Sequence, residues 1–275
     1  MKKILPILFL LIFIIALSGC VGDRTQGGSS NGLIIQRFTA DPDTVEGGEI
    51  VYFTADVKNV GGARADEISA ELIGLPWSVS QLSGSGCTVL YPPEEGVEGE
   101  ICTFEWQGTA PSADTTMTYP VDVKVNYNYA THYDALVRVA SRDWIRSLPQ
   151  DQQESERKKL GISQESAHIG PIHATLKLRT NEVYSGRNAY VYIYIQNVGS
   201  GRPENDMVNV DIEGLTECSK KGAVKLSQGQ STQIRCQLGT GGIDKWKSAK
   251  VGIDLSYRYW VKSTTEVTVL AKPIE

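Results

Sequence analysis

VYFTADVKNVG at residues 51–61 and AYVYIYIQNVG at residues 189–199 are two versions of one strand and its turn. Val51, Phe53, Ala55, Val57, Asn59, Val60 and Gly61 return as Ala189, Val191, Ile193, Ile195, Asn197, Val198 and Gly199. Up to the Asn, every second residue is apolar. Period two over this length means a half-buried strand, with its alternate side chains on an outer face. Before each strand stands a turn of one design, DTVEGG at 43–48 and NEVYSG at 181–186. In it Asp or Asn opens the turn, Val fills the core and Gly tolerates positive φ.

Working outward, Ile68, Ala70, Leu72, Gly74 and Leu75 correspond to Val208, Val210, Ile212, Gly214 and Leu215. Val121, Val123, Val125, Tyr127 and Tyr129 correspond to Val251, Ile253, Leu255, Tyr257 and Tyr259. The offset falls from 140 to 130 between these strands, so the second copy is shorter in its middle. Short strands, Gly-rich turns and about 100 residues per unit indicate β-sandwiches of immunoglobulin type. The expected fold is all-β: two tandem immunoglobulin-like β-sandwiches joined by a short, partly helical linker. The boundaries read as a signal peptide at 1–19, a lipid anchor and flexible stem at 20–31, a first domain at 32–140, a linker at 141–170 and a second domain at 171–275.

The motif V/I-x-N-x-G after an alternating strand, preceded by D/N-x-V-x-x-G, resembles the CARDB-type immunoglobulin-like domains of bacterial and archaeal cell surfaces. The resemblance covers roughly 32–140 and 171–272, and both copies depart from many such domains in carrying a Cys pair. It implies adhesion, spacing or display at the envelope, and carries over no catalytic residue.

The first residues read as an export signal. Lys2 and Lys3 precede an apolar run from Ile4 to Leu17, which is 14 residues long and interrupted by Pro6. A bilayer-spanning helix needs about 20 residues. The run ends in Leu17-Ser18-Gly19-Cys20, which resembles a lipobox, with Cys20 as the lipidated residue. An uncleaved signal anchor is the alternative; both readings put the rest of the chain outside the cytoplasm, tied to the cell membrane. The Gly- and Ser-rich stretch that follows is a flexible tether.

Cys20 aside, four Cys remain: Cys87 and Cys102 in the first copy, Cys218 and Cys236 in the second. An oxidising compartment predicts the disulfides Cys87–Cys102 and Cys218–Cys236. Free buried thiols or a thiolate metal site are the alternatives, and no C-x-x-C knuckle is present for zinc. The formal charge is −5, and −7 once residues 1–19 with Lys2 and Lys3 are removed. That balance argues against nucleic acid as a partner.

In the linker, PQDQQESERKKLG at 149–161 reads as a helix. Pro149 suits the first turn, Asp151 and Glu154 its positive end, Arg157 to Lys159 its negative end and Gly161 the cap. It is either a solvated spacer or a docking element in which Trp144, Ile145 and Leu148 pack on a sandwich.

The chain carries no nucleophile elbow, H-E-x-x-H, Walker loop or dinucleotide fingerprint, so no enzyme, metal or cofactor is expected. His132 reads as a lone residue in a turn, and His168 and His173 as ordinary histidines. Glu94, Glu95, Glu98 and Glu100 have the oxygen ligands for Ca²⁺ but not the spacing of a calcium loop, and read as a hairpin tip. One feature exceeds what a sandwich needs. The outward residues of the second strand copy are Tyr190, Tyr192 and Tyr194, where the first copy has Tyr52, Thr54 and Asp56. With Arg258 and Trp260 outward on the last strand, they form a candidate face for glycans or envelope proteins. The same tyrosines can instead serve packing against the linker or the other sandwich. The expected role is structural, adhesive or spacing, with glycan or peptide capture on the tyrosine face as the rival.

Overall fold

The computed structural model describes residues 30–272 apart from Ser85 and His168. Cys20, the lipobox-like residues 17–20 and the apolar run before them lie outside the described residues.

The first copy supplies β1 (Leu33–Asp41), β2 (Thr44–Val45), β3 (Ile50–Asn59), β4 (Ala65–Ile73), β5 (Val79–Ser83), β6 (Val89–Leu90), β7 (Ile101–Thr109) and β8 (Met117–Ala140). Helices α1 (Arg142–Ser147) and α2 (Gln150–Lys158) and strand β9 (Gly161–Ala167) follow. The second copy supplies β10 (Ile172–Leu178), β11 (Ala189–Asn197), β12 (Arg202–Pro203), β13 (Met207–Glu213), β14 (Gly222–Lys225), β15 (Ser231–Leu238) and β16 (Trp246–Val269). The fold is an all-β sandwich architecture, as the alternation requires.

Each copy has a small sheet of its own, β1-β3-β7-β5 in the first and β10-β11-β15 in the second. The opposing layer is one nine-stranded sheet that serves both, with the path β14-β13-β16-β8-β4-β6. At its centre β8 and β16 run antiparallel, paired from Met117↔Val269 to Ala140↔Trp246. The tandem sandwiches are therefore fused. The first half of β8 lies under the first copy's small sheet and pairs with β4, and its second half pairs with β9 and packs in the second copy. Alternate residues from Val121 to Val139 are buried along the whole strand, so one face of one strand lines both cores. The buried apolar side chains of the two copies form a single cluster.

The pairing has an internal two-fold relation. Each position of β8 has its counterpart 130 residues later in β16, and Asn128 is paired with its own counterpart, Arg258. Around this point Tyr127 stands across from Tyr259, and Tyr129 across from Tyr257. Their ring centroids lie 5.8–6.2 Å apart. Such edge and tilted contacts add to the burial of four large rings. The hydroxyls are used symmetrically. Tyr127 accepts from the Leu33 N–H at 3.1 Å, and Tyr257 from the Ile172 N–H at 3.3 Å, where each copy's first strand begins. Burial raises the Tyr129 phenol to about 12 and moves those of Tyr127, Tyr257 and Tyr259 upward too, so all four stay neutral.

The Asn of each repeat closes the turn after its strand. Asn59 donates to the carbonyls of Ala63 and Leu90 and accepts from the Gly61 N–H. Asn197 donates to Gly201 and Gly229 and accepts from the Gly199 N–H and the Tyr259 hydroxyl. Fully buried Asn59 is thus satisfied on both sides of its amide.

The linker corrects the solvated-spacer reading. Its helix spans Gln150–Lys158 behind Pro149, and Gly161 takes φ +91° at its end. The segment nevertheless docks. Ile145 is buried with Ala140 and Leu160, and Trp144 and Tyr184 pack against them. Arg138 of β8 holds Glu156 of α2 at 2.6 Å, and β9 then adds to the shared sheet.

Candidate binding face

Strand β11 is the middle strand of its sheet, paired with β10 on one side and β15 on the other. Val191, Ile193 and Ile195 are buried, which turns Tyr190, Tyr192 and Tyr194 to the outer face, where all three are half-buried. The register sets cations among them. Lys177 of β10 and Arg235 of β15 flank Tyr192, and the Arg179 N–H bonds the Tyr190 carbonyl. Diagonal neighbours are in reach of long side chains. The Lys177 ammonium lies 5.2 Å from the Tyr194 ring centre, and the Arg235 guanidinium 5.5 Å from that of Tyr190. The Gln233 amide donates to the Tyr194 hydroxyl at 3.4 Å. The face alternates aromatic rings with positive charge, and contacts of this kind strengthen when a partner removes them from water.

Arg258 and Trp260 are not part of this face. They lie in β16, on the outer side of the shared sheet, across the sandwich from the tyrosines. Arg258 sits at the two-fold point and reaches Glu67 of the first copy at 3.5 Å and Glu204 of the second at 3.6 Å. Trp260 lies under the Lys124 ammonium of β8, 5.7 Å from its ring centre. Both belong to the seam between the copies. Alternation identified them as outward but could not say on which layer's outside.

The four remaining Cys pair within their own copies, Cys87 with Cys102 and Cys218 with Cys236. The two bridges are not counterparts. Cys236 lies across from Val191, the place that Trp106 takes opposite Phe53, whereas Cys102 lies across from Val57 at the strand's other end. Cys236 is fully buried in the core, and Cys218 ties the shortened middle segment of the second copy to β15.

His132 is not in a turn. It stands in mid-β8 on the outer side, with Nδ1 2.6 Å from Asp254 and Nε2 3.0 Å from Asp134. Asp134 first, then Asp254, raises its pKa. His173 is half-buried, and burial lowers its pKa; His168 lies outside the described residues. Glu94 pairs with Val97 across a hairpin tip in which Gly96 has φ +80°. Glu98 holds Lys58, and Glu100 accepts from the Tyr91 N–H. The cluster is a tied hairpin, and no group of three possible metal ligands occurs among the described residues.

No family model matches the chain, and no curated protein matches it. Among solved structures, the secreted serine protease VesC of Vibrio cholerae aligns at 11% identity and TM-score 0.24, over 87% of this chain and 51% of its own. The adhesin InvE of Yersinia pseudotuberculosis aligns at 8% identity and TM-score 0.20, over 88% of this chain and 60% of its own. The collagen adhesin CNA of S. aureus aligns at 7% identity and TM-score 0.14, over 89% and 95%. The chain thus spans about half of VesC and 60% of InvE. Scores this low carry no argument about what this chain binds or does.

Proposed function

We propose that this is a lipid-anchored, non-enzymatic protein of the cell surface, with a structural or adhesive role in the envelope. In this reading Cys20 carries the lipid, the stem holds the fused CARDB-like sandwiches off the membrane, and the outer face of β10-β11-β15 makes the contact. Two disulfides support an oxidising, extracytoplasmic compartment. The observation that carries the contact reading is the row Tyr190, Tyr192 and Tyr194 interleaved with Lys177 and Arg235. Rigid aromatic rings with cations between them are the composition of binding hot spots.

The test replaces all three tyrosines by Thr, the residue that the first copy has at the counterpart of Tyr192, Thr54. Thr keeps strand propensity. Binding of the full chain to isolated envelopes and the melting temperature are measured together. Envelope binding is expected to fall about tenfold or more, which is about 1.4 kcal/mol, with the fold retained. Binding retained, or lost only together with the fold, would show that the face serves packing.

A further inference from the structure

The tyrosine row ends in a cleft. Where β10 and β11 turn back over α1, a cavity of about 640 Å³ opens beside Tyr190. Arg142, Arg179 and Arg187 line it, with Tyr184 in the wall. A neighbouring hollow of about 200 Å³ shares Arg142 and Tyr184 and adds Arg146 and Arg157. Five guanidiniums therefore gather in one corner of a chain whose formal charge is −5. Glu182 is the carboxylate in both linings, and it accepts a hydrogen bond from the Tyr184 hydroxyl. Arg142 lies over the Tyr184 ring at 4.5 Å. Among the described residues Arg142, Arg157, Arg179 and Arg187 make no ion pair, and Arg146 has only Asp143, at 3.7 Å.

Five like charges gathered around one lining carboxylate, Glu182, raise the energy of the folded chain, and an incoming anion relieves that repulsion. Planar guanidinium forks are suited to carboxylate and sulfate, which they bind through two parallel hydrogen bonds. The cleft's volume is in the range of about 300–1,000 Å³ usual for ligand sites. It also continues into the row of tyrosines. Tyr190 to Tyr194 spans about 13 Å at strand rise, with Arg235 and Lys177 set beside the rings. A ligand that fits must carry flat apolar faces and regularly spaced anions. An extended peptide would take a free sheet edge, but β11 already has both edges paired.

We infer that the arginine cleft and the tyrosine row together bind an acidic polysaccharide, its sugar rings on the tyrosines and its carboxylates or sulfates on the guanidiniums. The inference rests on the reading of this face as the contact surface, and adds the ligand class and the residues that select it. It also accounts for a difference between the copies. The counterparts of Arg179 and Arg187 in the first copy are Asp41 and Glu49, and the counterpart of Arg235 is Glu105.

The test uses the full chain in detergent and titration calorimetry with polygalacturonate, neutral dextran, polyglutamate and a thymidine oligonucleotide. Two variants are compared. Arg179→Asp with Arg187→Glu gives the cleft the charges of the first copy. Lys221→Glu with Lys225→Glu makes the same net change near and on the β14 edge of the other sheet. Polygalacturonate is expected to bind the parent chain, with affinity falling as salt is raised. The cleft variant should lose about tenfold or more, and the edge variant no more than about twofold. Arg187→Gln, a milder change on the exposed turn, should move affinity in the same direction. No binding of polygalacturonate, an equal loss in both variants, or polyglutamate or oligonucleotide bound as tightly would each overturn the inference. Envelope binding that the tyrosine variant abolishes and the cleft variant leaves unchanged would overturn it too, while leaving the contact face standing. Envelope binding untouched by the tyrosine variant would instead remove the contact face itself.

Discussion

The turn from Asp41 to Tyr52 and the turn from Arg179 to Tyr190 occupy matching places at the two ends of the shared sheet. Val45 is buried and pairs with Val269 of β16. Val183 is buried, and its carbonyl accepts from the Ala140 N–H at the end of β8. The backbones are set alike because an equivalent Val, an equivalent Gly and an equivalent long strand, β16 for the first turn and β8 for the second, constrain them. The outward side chains diverge, Tyr52 and Tyr190 excepted. The first turn carries Asp41, Asp43, Glu46 and Glu49; the second carries Arg179, Glu182 and Arg187, with Tyr184 where Glu46 stands. Inward positions are held by a common core, whereas outward positions are free to differ. One half cannot be understood alone: each turn is anchored by the long strand of the other copy or of the linker side.

The largest test of that comparison is at the seam. Tyr127→Ala and Tyr257→Ala are counterparts, each removing a buried ring and the acceptor for the first N–H of its copy. Each should cost about 3–5 kcal/mol. Because β8 and β16 line both cores, calorimetry should show one unfolding transition in the parent and in both variants. Two separate transitions would break the fused picture and restore independent sandwiches.

A smaller effect is expected at the repeated Asn. Asn59→Ala and Asn197→Ala each leave two carbonyls without their amide donor, while the Gly61 and Gly199 N–H groups keep the Gly32 and Pro171 carbonyls, at about 1–3 kcal/mol. Asn197→Ala should be the costlier by denaturant unfolding, since it also removes the acceptor of the Tyr259 hydroxyl. Equal losses would show that this hydroxyl finds another partner.

The smallest effect separates the two ends of the seam by pH. His132 is held by Asp134 and Asp254, while its counterpart Lys262 is held by Asp122 at 2.8 Å. The aspartates raise the His132 pKa above its ordinary 6.5. Its contribution is therefore complete below about 6.5 and is lost as pH rises through the higher folded value. With its side chain a third exposed, a few tenths of a kcal/mol should disappear as pH rises above about 6.5, with no change below it. His132→Asn should flatten that slope, and an unchanged slope would assign it elsewhere.

Much of the architecture was legible because it is local. Alternation in Val51–Val57 and Ala189–Ile195 gave strands and their inward faces, and Pro149 and Gly161 bounded a helix that spans Gln150–Lys158. The tyrosine row was legible for the same reason, since period two puts Tyr190, Tyr192 and Tyr194 on one side. His132 was misread because THYD at 131–134 resembles a turn, whereas the strand continues through it to Ala140. The two disulfide pairs were legible from two Cys per copy, but not their unlike placement: Cys102 lies across from Val57 and Cys236 across from Val191, which only the strand pairing records.

By itself the sequence determined two copies of a strand pattern, the residues that face inward, the helix in the linker and the number of Cys that can pair. These follow from a period of two, from helix-end chemistry and from turn chemistry, which act over a few residues. Only the tertiary structure decided that β8 and β16 pair along their full length, that Arg258 and Trp260 belong to a seam, and that arginines from α1, α2 and the β10–β11 turn meet in one cleft. Those outcomes depend on which strand lies beside which across more than 100 residues of chain. Backbone hydrogen bonds are alike for every strand, so the choice of neighbour rests on how whole faces pack, and no local period records it.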